Sequence, residues 1–248
     1  MNVNYLSVTA SEGPAAGSTL LNNLIEYWKL DESSGNFIGE VNGNALVPDN
    51  VVQGVTGKIT NAMECDNIGD SATMNYNSSL SYGTTDSITI SFWIWLDTMP
   101  STLGYTCTAF RVTNANGSST AMRIQFPLDG AYYLFYIVDA SANVYSVESS
   151  YGYITTGTWH HILCYKNSTT SKTYIDGVDR TSASYSTPNN IRAFDELLNI
   201  GNYSVGSSVA IDGKMCEFAY WNRQLTTDEI AELYNSGNGK TYPFNDLL

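Results

Sequence analysis

Residues able to do acid–base or nucleophilic chemistry are few in this chain, and their spacing limits them further. The two histidines, His160 and His161, are adjacent. Neighbours on a strand point to opposite faces, so only one of them can serve a given site. Paired carboxylates across a cleft are what glycoside hydrolysis requires. The single E-x-D in the chain is Glu64-Cys65-Asp66, whose acids alternate onto one face of a strand. Asp195 and Glu196 are adjacent and would face apart. Cys65, Cys107, Cys164 and Cys216 are widely spaced, with no C-x-x-C pair and no His at ligand spacing, so they read as small buried hydrophobes rather than a zinc site. No G-x-S-x-G, phosphate loop or dinucleotide fingerprint is present. The pattern describes a protein that is not an enzyme.

Binding chemistry is better supplied. The chain holds 18 Tyr and 5 Trp, with many Asn residues. An exposed ring can lie against the apolar face of a pyranose while amides and carboxylates meet its hydroxyls. Tyr105, Tyr151, Tyr153 and Tyr203 stand in turn-rich segments and are the candidate glycan platforms. Trp93, Trp159 and Trp221 fit core positions better. The alternative is that the tyrosines simply fill a protein with two large sheet faces.

Charge narrows the partners. With 24 acidic and 11 basic residues the formal charge is −13, which repels phosphate backbones and anionic lipid. No apolar stretch approaches the roughly 20 residues needed to span a bilayer. The segment Met1–Ala10 has neither a basic n-region nor an apolar h-region. The expectation is a chain that stays inside the cell or leaves by another route, such as a virus particle released by lysis.

The elements that must position these residues are mostly strands. Ile88–Leu96 places Ile88, Ile90, Phe92, Ile94 and Leu96 on one face and Thr89, Ser91, Trp93 and Trp95 on the other, which predicts cover on both sides. Leu24–Leu30, Met122–Phe126, Tyr132–Val138, Trp159–Tyr165, Lys172–Ile175, Leu197–Ile200 and Met215–Trp221 are further candidates. Asp129-Gly130 and Asp176-Gly177 suit hairpin turns needing positive φ. One helix is specified by a capping box, Thr226 to Glu229, with Leu225 and Ile230 as a hydrophobic staple and Gly237 as the stop. Residues 1–22, with the linker-like Ser11–Thr19, read as an N-terminal arm before one compact unit, 23–248. Many short strands with almost no helix predict an all-β, antiparallel sandwich.

Four segments taken in order carry a family resemblance. They are Leu24-Ile-Glu-Tyr-Trp-Lys-Leu-Asp-Glu-Ser-Ser-Gly35, then Asp86-Ser-Ile-Thr-Ile-Ser-Phe-Trp-Ile-Trp95. Next come Gly157-Thr-Trp-His-His-Ile162 with Tyr174-Ile-Asp-Gly177, and finally Ile211 to Leu225 leading into the helix. Over about 24–244 the chain resembles the laminin-G-like, concanavalin A-like lectin/glucanase superfamily in its bacterial and viral three-motif form. The resemblance implies a jelly-roll sandwich of two antiparallel sheets. It also implies a possible structural calcium near Asp31, Glu40 and Glu217, with no cofactor otherwise required. Two departures weaken that site: Glu40 stands where Asp is common, and Cys216-Glu217 stands where Asp-Glu is common, which replaces a hard ligand with a soft one. Glucanases of this fold carry E-x-D-x-(x)-E, and Asn67, Ile68 and Gly69 follow Asp66 here without the third carboxylate.

These readings converge on a non-catalytic attachment module. The preferred placement is a virion surface, as a capsid decoration or fibre-associated protein of a phage, present in multiple copies and docked on protein partners through the arm 1–22. It would contact host glycans, and neither nucleic acid nor the membrane interior. A free or secreted, extracellular bacterial lectin is the alternative, and a glycoside hydrolase the third reading.

Overall fold

The computed structural model describes residues 18–66, 69–75, 87–113, 120–128, 133–139, 141–149, 152–184, 197–203 and 209–245. Along these the strands are β1 (Leu24–Trp28), β2 (Phe37–Ile38), β3 (Ala45–Asp49), β4 (Val52–Thr56), β5 (Asn61–Cys65) and β6 (Ser71–Asn75). After them come β7 (Ile88–Leu96), β8 (Cys107–Thr113), β9 (Thr120–Phe126), β10 (Leu134–Val138), β11 (Val144–Ser149) and β12 (Trp159–Lys166). The last are β13 (Ser171–Ile175), β14 (Val178–Asp179), β15 (Thr181–Ser184), β16 (Leu197–Ile200) and β17 (Gly213–Trp221). Two helices join them: α1 (Pro100–Leu103), and α2 (Thr227–Tyr234) near the C-terminus.

The strands form an all-β sandwich of two antiparallel sheets. The first runs β14-β13-β12-β7-β17-β5-β4, with β1 also paired to β17. The second runs β15-β11-β10-β9-β8-β16-β6-β3-β2. The shared core lies between them. Ile88, Ile90, Phe92, Ile94 and Leu96 of β7 meet Phe110, Met122, Ile124, Phe135 and Ile137 of the second sheet, all buried. Thr89, Ser91 and Trp93, on the other side of β7, are buried too, so the strand is covered on both faces as its composition predicts. Trp95 at its end stays half-exposed.

The outer cover of the first sheet comes from α2 and from both ends of the described chain. Leu20, Trp221, Leu225, Ile230, Leu233 and Phe244 form one buried cluster there. The capping box closes as its residues predict, with Thr226 accepting from the Glu229 amide and Glu229 from the Thr226 amide. The helix ends earlier than Gly237: Asn235 takes the left-handed conformation (φ 47°) and its amide caps the Ala231 carbonyl. Asn tolerates that region because its short polar side chain can bond locally. Ser18–Asn22 are already seated on the sandwich, inside the stretch expected as arm. Leu20 is fully buried, and its carbonyl accepts from Trp221 Nε1 at 2.7 Å.

Asp176 and Gly177 adopt φ 53° and 74° between register partners Ile175 and Val178, which is the two-residue hairpin expected of Asp-Gly. The Asp129-Gly130 turn lies outside the described residues, as do the arm residues 1–17. A bulge in β17 between Cys216 and Ala219 marks where its neighbour changes from β5 (Gly213–Met215) to β1 (Phe218–Trp221). Glu217, at φ 56°, sits at that junction.

Candidate functional site

Among the described residues no helix or terminus packs on the outer side of the second sheet, although Arg111 and Asn199 on that side are buried. Strand alternation decides what that side displays. Met74, Leu198, Ile200, Phe110, Val112, Met122, Ile124, Phe135 and Ile137 point into the core, so the residues between them point out. Register then lines up one row across consecutive strands. Thr73 pairs with Asn199, Asn199 with Arg111, Arg111 with Arg123, and Arg123 with Tyr136.

A second device brings Tyr203 onto this row. After β16 the chain turns at Gly201 (φ 88°), where an added Cβ would lie 2.7 Å from Cys65 Sγ. The Gly201 amide bonds the Ala109 carbonyl at 2.8 Å, and Asn202 Oδ1 accepts from the Tyr203 amide at 2.6 Å. The Tyr203 ring then lies 3.8 Å from the Arg111 guanidinium and 5.9 Å from that of Arg123, while Tyr136 lies 4.2 Å from Arg123. Such stacking offsets part of a buried cation's lost hydration. Arg111 is buried, and its Nε and Nη1 donate to Thr120 Oγ1 (3.0 Å) and the Tyr203 carbonyl (2.9 Å). Burial lowers its pKa, and the charge of Arg123 adds to the effect against the opposing influence of Tyr203. Beside the row is a cavity of about 350 Å³ lined by Thr106, Thr108, Arg123, Gln125, Tyr203 and Val209. That volume is in the range of small-ligand sites. The arrangement offers planar cations, ring faces and an amide, which are the parts of a sugar-recognition surface.

The histidines make a different structure. Asp176 Oδ2 meets His160 Nδ1 at 2.8 Å, and His160 Nε2 lies 3.1 Å from Thr155 Oγ1. This has the order of an acid–histidine–hydroxyl triad. However, the Thr155 amide also donates to Nε2 at 3.1 Å, so the lone pair that would accept a hydroxyl proton is already engaged. Asp176 Oδ1 accepts from the His161 amide at 2.8 Å. Burial raises the Asp176 pKa, but the His160 and His161 hydrogen bonds outweigh it and hold the carboxyl below its usual range. His161 lies on the opposite side of β12, against Trp93 and Tyr234, with Nε2 2.7 Å from Ser91 Oγ.

The residues expected around calcium do not gather as a ligand set. Glu40 pairs with Lys29 at 2.6 Å, which places an ammonium where a cation would be bound. Glu217 accepts a short hydrogen bond from the Tyr27 hydroxyl. Burial pushes its carboxyl up to about 7, with the charge of Asp31 adding to the rise. Among the described residues no three His, Cys, Asp or Glu side chains come together as a metal-binding group. These residues do not fit the ion.

Of the candidate sugar platforms, Tyr203 lies in the row. Tyr105 packs against the core, Tyr153 is exposed and stacked with Arg180 at 3.7 Å, and Tyr151 lies outside the described residues. Glu64 pairs with Lys214 at 3.3 Å, and Asp195 and Glu196 lie outside the described residues. All four cysteines are free and buried, and burial pushes the Cys107 thiol up to about 12. Sequence reasoning missed Arg111, Arg123, Tyr136 and Asn199. A signal was available: both arginines sit at alternate positions inside apolar strands of a chain poor in basic residues.

A family model described as the concanavalin A-like lectin/glucanases superfamily, of laminin G type, matches residues 67–231. No curated protein matches the chain. Among solved structures, the receptor binding domain of botulinum neurotoxin C/D mosaic serotype is similar with a TM-score of 0.65 at 16% identity, over 86% of this chain and 51% of that one. The botulinum neurotoxin serotype D ligand binding domain in complex with N-acetylneuraminic acid gives 0.65 at 15% identity, over 86% and 50%. A Trypanosoma rangeli sialidase gives 0.65 at 12% identity, over 87% and 33%. The chain thus spans about half of the toxin domains and a third of the sialidase. At these identities the likeness is one of fold.

Proposed function

The chain belongs to the concanavalin A-like lectin/glucanases superfamily, and on that premise we propose that it is a non-catalytic carbohydrate-binding module. The observation that carries the reading is the Asn199–Arg111–Arg123–Tyr136 row under Tyr203, on the one sheet face that no helix or terminus covers among the described residues. A similar fold solved with N-acetylneuraminic acid bound supports glycan as the ligand class. The occupied lone pair of His160 and the Lys214 partner of Glu64 support a role without catalysis. The test is a glycan array probed with the wild-type chain and with Tyr203→Ala. Binding that the variant loses supports the module, and an array on which the wild type is inert overturns it.

The finer placement, attachment at a virion surface, draws on the acidic composition of the chain. Stoichiometric copurification with virions would support it. Recovery only as free protein from the same preparations would favour the free, extracellular lectin.

A further inference from the structure

Two like charges face each other in the row, and among the described residues no acid answers them. Arg111 and Arg123 are register partners on β8 and β9. Like charges directly opposite destabilise a strand pair, and a buried guanidinium without a counter-charge is costlier still. The chain has 24 acidic residues to draw on. Even so, among the described residues neither arginine forms an ion pair. The acceptors of Arg111 are a neutral hydroxyl and a neutral carbonyl, and Arg123 Nε is buried with no acceptor. Next in the row, Asn199 is fully buried, and both its Nδ2 and its Oδ1 lack partners. Buried polar groups are nearly always satisfied, and three unmet atoms concentrate in this one row.

Building on the glycan reading above, we propose that the row is the seat of a sugar bearing a carboxylate. A guanidinium with a ring on its face presents hydrogens only along its edge, the geometry that suits a planar carboxylate. Tyr203 and Tyr136 impose that constraint on Arg111 and Arg123. Gln125, which lines the cavity with Arg123 and Tyr203, supplies an amide donor and acceptor for a neighbouring hydroxyl or acetamido group, and the buried Asn199 backs the row beside Arg111. A single carboxylate is also the anion least opposed by a chain of charge −13, whereas a polysulfated glycan would meet strong repulsion.

The test is titration of the full chain, by saturation-transfer NMR and calorimetry, with methyl glycosides of N-acetylneuraminic, glucuronic and galacturonic acids. Each is paired with its own methyl ester, and galactose 6-sulfate and lactose are included. At least one free acid should bind about tenfold or more tighter than its ester, the scale of a charge-assisted hydrogen-bond pair. Arg123→Gln should erase that preference, so that acid and ester bind alike, with the melting temperature close to wild type. Should it fail to fold, Arg123→Lys keeps the charge, loses the fork and should lose most of the preference. Acid and ester bound alike would overturn the carboxylate seat and leave the glycan module standing. Sulfate bound as well as the best acid would overturn it in favour of a general anion site. No binding by any sugar, here or on the array, would overturn the glycan reading and this inference with it.

Discussion

Asp176 holds His160 and His161 together from a left-handed turn: Oδ2 takes the His160 Nδ1 and Oδ1 takes the His161 backbone amide, each at 2.8 Å. One carboxylate thereby ties the β13–β14 hairpin to the start of β12. Beyond it, His160 Nε2 anchors the segment around Thr155. The three residues act as a clasp between loops, in which the Thr155 amide already occupies the His160 Nε2 lone pair.

Asp176→Ala should therefore cost stability, about 3 kcal/mol, by removing a charged acceptor shared by two donors and by placing Ala at positive φ. Asp176→Asn keeps the turn preference and one acceptor, and about half that loss is expected. Exposed Thr155→Val should change stability by less than about 0.5 kcal/mol. Urea unfolding of the three variants checks the ranking. Equal losses for Ala and Asn would move the effect from the turn to the charge.

The acid limb of the stability curve should show two steps. Burial lowers the His161 pKa to about 4, below the ordinary value near 6.5, so the unfolded chain takes up this proton first. Stability from His161 is complete above about pH 6.5 and lost as pH falls through about 4. The expected size is on the order of 3 kcal/mol. Burial raises the Glu229 pKa, but its bonds to Arg223, Thr19 and Thr226 outweigh this and bring it to about 2. Its contribution is present above about pH 4.5 and lost toward pH 2. Melting temperatures from pH 8 to 2 should show His161→Phe flattening the first step and Glu229→Gln the second.

Much of the fold was legible because its signals are local. Ile88–Leu96 and Leu197–Ile200 coincide with β7 and β16, Asp176-Gly177 makes its hairpin, and the Thr226–Glu229 box starts α2. Short strands such as β2, β14 and β15 left no readable alternation, since two to four residues hold barely one period. The site was legible only at Tyr203. Asn199, Arg111 and Arg123 become neighbours through pairing of β16 with β8 and β8 with β9. The first pairing joins residues far apart in sequence, which no local pattern encodes; the second joins consecutive strands, where the alternating arginines were a usable signal. The calcium expectation had local carboxylates behind it, but the Lys29–Glu40 ion pair is a tertiary fact.

The stretch expected as an N-terminal arm, 1–22, reaches into the core at its end. Arg223 donates to both oxygens of Glu229 at 2.7 Å and to the Asn22 and Thr19 carbonyls at 2.7 and 2.9 Å, clamping that segment onto α2. Leu20→Ala should cost about 2–4 kcal/mol, the usual range for a buried leucine. Denaturant midpoints measure this. A neutral Leu20→Ala would place the boundary of the compact unit at residue 23 after all.

A binding site built from unmet polar groups should be improvable as a fold and poorer as a site. Asn199 sits in a strand with both amide atoms buried and unpartnered, a penalty of about 1–3 kcal/mol for each unmet group. Asn199→Val removes those groups and adds a β-branched residue suited to a strand. The melting temperature should rise by several degrees, while glycan affinity falls at least fivefold. That opposite movement is the mark of a residue kept for function at the expense of stability. If Asn199→Val lowers both, the amide serves the fold, and its place in the glycan site is lost.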